Sequence, residues 1–181
     1  MTRRFYLASV LAAASALPVL AADGANPLSA EVKRSYLSIR NNLIKMAEKM
    51  PEEQYSFRPT PEVETFGRRV AHITDANMRT CSGLKGEQKS LRASAKTAKA
   101  DLVAALKQAL EYCDSVFDSM TDRAAVELID ASIASPPVRD VKQSRLAVLY
   151  SVVRHSNEVY GYMAVYLRLK GIVPPTSEPE R

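Results

Sequence analysis

The 181-residue chain carries 25 Lys and Arg against 20 Asp and Glu, with two His, two Cys and no Trp. A formal net charge of +5 spread over that length, with few aromatics and no long basic block on one helix, does not argue for nucleic acid, which is held by clustered Lys and Arg. Two well-separated cysteines exclude a disulfide-dense miniature fold and an adjacent C-x-x-C redox pair.

The first segment, MTRRFYLASVLAAASALPVLAAD, combines Arg3 and Arg4, an apolar run from Phe5 to Leu20 and small residues at Ala21 and Ala22, the pattern of a secretory signal peptide. The run is 16 residues, shorter than the ~20 a spanning helix needs. Cleavage near Ala21 or Ala22 is therefore expected, giving a periplasmic or secreted protein with no membrane insertion. Loss of Arg3 and Arg4 leaves 23 basic against 20 acidic side chains, a net charge of about +3. The remaining length suits one domain with a single core. The expected division is a leader over 1–21, a disordered linker over 22–28, a helical bundle over 29–173 and a disordered tail over 174–181.

From Ser29 to Met50, Val32, Tyr36, Ile39, Leu43, Met46 and Met50 follow a 4-3-4-3-4 spacing, one apolar stripe along a helix. Ser29 is a suitable N-cap, and Pro51 cannot continue the hydrogen-bond ladder. The proline-rich PEEQYSFRPTPEVET reads as a connector anchored by Tyr55 and Phe57. A second helix over Phe66 to Leu84 places Phe66, Val70, Ile73, Cys81 and Leu84 on one face, and a polar basic linker, Lys85 to Lys96, follows. A third helix, about Thr97 to Met120, aligns Leu102, Ala105, Leu106, Ala109, Leu110, Cys113, Val116 and Phe117. Residues Thr121 to Arg145, with Ser135-Pro136-Pro137, read as a long connection containing one short helix near Ala124 to Ile129. The last helix, about Ser144 to Lys170, is apolar nearly all round, which predicts the most buried of the four. Gly171 ends it. Four long helices with almost no strand signal predict an all-α four-helix bundle.

Chemistry-bearing groups are few. His72 lies on the second helix at the flank of its apolar stripe, and His155 on the last. Bundles assemble metal sites from facing helices, and imidazole is a common ligand; two ligands do not close a site, since zinc takes three protein ligands plus water, or four. One turn beyond His155 the same face carries Val159, so Glu158 is the nearest auxiliary donor, with Asp75 and Asn157 behind it. The alternative is a hydrogen-bonded seam histidine. Cys81 and Cys113 each fall about 15 residues into their helix and would sit level if those helices ran parallel. They are either a disulfide candidate or two small buried apolar side chains. No phosphate loop, dinucleotide fingerprint, serine-hydrolase elbow or H-E-x-x-H occurs, so no catalytic residue is assigned.

The phrases KMAEKMPEEQYSFRPTPEVETFGRRVAHITDAN and HSNEVYGYMAVYLRLKGIVPP resemble the DinB-like superfamily, in particular its exported bacterial members, across nearly the whole mature chain. The family is distinct from the translesion polymerase of the same name. The resemblance implies an up-down-down-up bundle whose second and third helices are parallel, the arrangement that would level Cys81 with Cys113. It also implies a divalent metal (Zn, Ni or Mn) on three histidines, of which His72 and His155 are matched while the third position holds Val159. Dimers through helix faces are implied as well, with no stripe here distinctive enough to name the interface. Relatives include transferases and an isomerase that use low-molecular-weight thiols, in which a metal would lower the pKa of a bound thiol or water. Those thiols are cytoplasmic and would not meet an exported chain. The expectation is thus an exported bundle with a degenerate two-histidine metal site and no assigned substrate. It would be non-catalytic or weakly metal-binding, holding a small-molecule ligand or a partner in its cleft or on its surface. The alternative is a metal-dependent transferase or hydrolase with Glu158 as ligand or base.

Overall fold

The computed structural model describes residues 26–133 and 140–179; the leader expected over 1–21 and Ser135-Pro136-Pro137 lie outside the described residues. Its long helices are α1 (Pro27–Lys49), α2 (Phe66–Leu84), α3 (Lys99–Ser119) and α5 (Arg145–Leu169), with a single turn, α4 (Asp122–Ala125), between the last two. No described helix is long and apolar enough to cross a membrane.

Cross-links between helices fix their directions. Gly67 approaches Leu102, Cys81 meets Cys113, and Lys85 donates to Ser115, so positions advance together along α2 and α3 and the two are parallel. Against α1, α3 runs the other way, since Lys33 pairs with Asp118 and Glu48 with Lys107. Likewise α5 is antiparallel to α2: Tyr166 donates to Glu64 O near the start of α2, and Arg145 to Leu84 O at its end. The topology is up-down-down-up.

The apolar stripes meet in one core. Leu43, Met46, Met50, Phe66, Ile73, Leu106, Leu110 and Met163 are fully enclosed, and fully burying such a side chain contributes roughly 1.5 to 3 kcal/mol. Tyr36 stacks on Phe117 with ring centroids 3.9 Å apart. Its hydroxyl donates at the edge of the core toward Leu110 O and Asp114, while Arg40 grips both oxygens of Asp114. Burial and the neighbouring Asp114 carboxylate push the Tyr36 phenol above its ordinary range.

Several local expectations are corrected. Ser29 does not cap α1, which begins at Pro27 after Asn26. The Ser29 hydroxyl and amide both reach Asp122 Oδ1, at 2.7 and 2.8 Å, and Asn26 in turn accepts from Asp122 N, so a carboxylate distant in the chain takes over the helix start. The connection before α5 contains two strands, β1 (Leu128–Asp130) and β2 (Lys142–Ser144), paired antiparallel with Leu128 opposite Ser144; three residues each are too few to show a period-2 pattern. The most enclosed helix is α2, with 13 of 19 residues buried, whereas α5 buries 10 of 25. It is α2 that lies between α3 and α5, while Tyr150, Tyr162, Val165 and Leu169 of α5 face outward. The tail expected to be disordered from 174 is laid against the bundle over its described part. Pro175 is buried, Tyr160 Oη and Thr176 exchange hydrogen bonds, and Lys49 reaches both Val173 O and Glu178.

Candidate functional site

Antiparallel packing of α2 on α5 brings the two histidines together. His72 Nε2 lies 2.9 Å from His155 Nε2, with the rings nearly perpendicular at 77° and centroids 5.0 Å apart. At that distance one nitrogen donates and the other accepts. His155 Nδ1 stands 3.3 Å from Glu158 Oε2 one turn along α5. A proton on Nδ1 facing that carboxylate leaves Nε2 of His155 as the acceptor and makes His72 Nε2–H the donor. Burial, then the second imidazole, lowers the pKa of His72 from its ordinary value. The hydrogen bond to His155, then that to Tyr162, holds Glu158 below the usual carboxylate range.

Two side chains invisible to motif reading complete the surround. Tyr162 donates to Glu158 Oε1 at 3.1 Å, and the guanidinium of Arg69 lies 5.3 Å from the Tyr162 ring centre. Arg69 also pairs with Glu64 at 3.7 Å. The available sequence signal was the four-residue step from Glu158 to Tyr162 on one helix face.

The donors named from sequence are distributed differently from a closed metal site. Val159 is 1% exposed and belongs to the core cluster. Glu158 addresses Nδ1 of His155, the ring nitrogen turned away from His72, so in this geometry it orients the imidazole, as outer-shell carboxylates do for metal-ligating histidines. Asp75 is engaged elsewhere, its two oxygens accepting from Ala93 N and Ser94 N at 2.9 and 3.0 Å. Asn157 donates to Val153 O on its own helix. Among the described residues no group of three or more His, Cys, Asp or Glu is gathered around a common point.

A tetrahedral ion at 2.0–2.1 Å would hold two ring nitrogens about 3.3 Å apart, so the imidazoles need separate only slightly to share one. The residues present thus fit a two-nitrogen contact and do not fit a three-histidine set. Cys81 and Cys113 form a disulfide with their Cα atoms 5.3 Å apart, and both residues are fully buried between α2 and α3.

Solved structures share the architecture. A DinB-like protein from Bacillus cereus superposes with a TM-score of 0.64 at 19% identity, covering 80% of this chain and 93% of its own. A DinB-like protein from Bacillus subtilis gives the same TM-score at 21% identity, covering 82% of this chain and 99% of its own. No curated protein matches the sequence. The family model described as the DinB superfamily matches residues 36–163, a span that runs from the core of α1 past both histidines and takes in more than half of the chain. The chain belongs to the DinB superfamily.

Proposed function

We propose that this is an exported, non-catalytic member of the superfamily whose two-histidine seam between α2 and α5 holds a divalent cation such as Zn, Ni or Mn only weakly. The observation that carries the reading is the 2.9 Å approach of His72 Nε2 to His155 Nε2, with Val159 turned into the core at the next position along the face. In the absence of an ion the two nitrogens satisfy each other, and an ion must break that hydrogen bond before it gains its ligands. Water has to fill the remaining positions, and it is a poorer donor than a third imidazole. Export to the periplasm or beyond is supported by the leader-like pattern of Arg3 and Arg4, the apolar run from Phe5 to Leu20, and Ala21 and Ala22.

Metal titration of the mature protein by calorimetry, with bound metal measured after dialysis, tests the proposal. Weak binding that His72→Ala abolishes is expected, and Val159→His should tighten it by at least ~10-fold, the scale on which metal-site residues act. Stoichiometric metal retained through dialysis by the unaltered protein would overturn it. That result would favour the second reading, a metal-dependent transferase or hydrolase. Its support is the Glu158–His155 contact, which leaves the Nε2 lone pair of His155 turned toward His72.

A further inference from the structure

Away from the imidazoles, a cavity of about 510 Å³ opens where α2 ends, within the range that takes small molecules. Its lining includes Arg79, Ser82, Gly83, Gln88, Lys89 and Ile133. The wall is built by a tight helix ending. Gly86, at φ +72°, turns the chain out of α2, a conformation glycine takes without strain. Glu87 N then returns to Ser82 O, and Lys89 N to Ser82 Oγ. The floor is apolar: a Cβ placed on Gly83 would come within 2.7 Å of Ile133 Cγ2, so the absence of a side chain at 83 lets Ile133 lie against the helix.

The charges around this cavity do not cancel. Lys89 is taken by Glu87 at 2.8 Å and lies over the Tyr112 ring. The Arg79 side chain, by contrast, is exposed, and its guanidinium has neither ion-pair nor hydrogen-bond partner among the described residues, only the Arg79 carbonyl accepting from Ser82 Oγ. The acidic side chain of the described lining, Glu87, is the one engaged by Lys89. A guanidinium offers planar paired donors suited to carboxylate or phosphate, here beside an apolar floor and the side chains of Ser90 and Gln88.

We infer that this cavity binds a small organic oxyanion, a carboxylate or a phosphate ester, with Arg79 holding the acid group and Gly83 and Ile133 receiving the apolar body. The site is separate from the imidazole pair and does not require metal there. Arg79 is nevertheless seven residues from His72 and so lies on the same side of α2, about 10 Å along it. A ligand seated here would therefore lie toward the seam.

The test is titration of the mature protein at low ionic strength with acetate, benzoate and inorganic phosphate, followed by amide chemical shifts of Gly86 to Ser90 and Ser132. Saturable shifts are expected, weakened at least about tenfold by Arg79→Ala, as for loss of a charge-assisted hydrogen bond, and partly kept by Arg79→Lys. Arg68→Ala, which alters a guanidinium bonded instead to Ser94 O, should change nothing. Benzoate binding ahead of acetate and phosphate would assign an apolar carboxylate, and phosphate binding ahead of both a phosphate ester. No saturable shift with any anion, or equal affinity after Arg79→Ala, would overturn the inference. Because the Arg79 charge opposes positive charge at His72, Arg79→Ala should keep or raise nickel uptake while losing anion binding, so failure here is distinguishable from failure of the two-histidine proposal.

Discussion

His72 and His155, 83 positions apart in the chain, meet nitrogen to nitrogen at 2.9 Å across the contact of α2 with α5. That contact needs at least one neutral ring. Because burial and the second imidazole lower the pKa of His72, the folded protein binds fewer protons than the unfolded chain just below the ordinary histidine value of ~6.5. Stability contributed by this group is complete above that value and is lost as pH falls through the lowered folded-state pKa. In metal-free buffer the urea midpoint should fall between pH 7.5 and pH 5, and His72→Gln should flatten that part of the profile. An unchanged slope in the variant would assign the dependence to other groups.

Glu158 acts on the same ring from behind. Glu158→Gln keeps the shape but removes the charge that fixes the Nδ1 proton of His155, and nickel affinity should drop on the order of 10-fold with the unfolding temperature nearly unchanged, because Glu158 is exposed. Calorimetry with nickel checks the first part and circular dichroism the second. If Glu158 were itself a ligand, its loss should act as severely as His155→Ala.

The Cys81–Cys113 bond closes a sequence separation of 32 residues. On the loop-entropy account, opening it should cost about 3 to 4 kcal/mol. The double variant Cys81→Ala with Cys113→Ala should unfold at correspondingly lower urea concentration, and added reductant should shift the unaltered protein toward the variant. A variant as stable as the parent would show that helix packing alone sets the level of α2 against α3.

Asp114 accepts from Arg40 and from Tyr36 at once. Asp114→Ala leaves a half-buried guanidinium unpaired and the phenol with Leu110 O alone, a loss of roughly 1 to 3 kcal/mol. Tyr36→Phe keeps the ring stack on Phe117 and the Arg40–Asp114 pair, so it should cost less. Paired denaturation curves order the two; the reverse order would place the main stabilisation in the hydroxyl.

The bundle was legible because its stripes are regular: Tyr36, Ile39, Leu43 and Met46 repeat at helical spacing and all are buried. The two histidines could be named from composition and resemblance, but their contact depends on the antiparallel register of α2 and α5, which no local pattern encodes. Ser29 illustrates the same limit. Its cap-like setting is a local signal, overridden by Asp122, 93 residues away in sequence. The outward face of α5 was misread because Tyr150, Tyr162 and Val165 are apolar yet exposed. Hydrophobicity marks a face as buriable; which neighbour covers it is a property of the assembled fold. Arg79 carried no signal at all, since an isolated arginine on a helix reads as solvated surface until the turn at Gly86 and Ile133 enclose a space beside it.

The pairing of Cys81 with Cys113 also bears on biogenesis. A chain with only two cysteines has no incorrect intramolecular partner, so its oxidation requires no shuffling by an isomerase. Both thiols precede α5, and the covalent clamp can therefore close on the parallel α2–α3 pair before the final rod has been delivered to it.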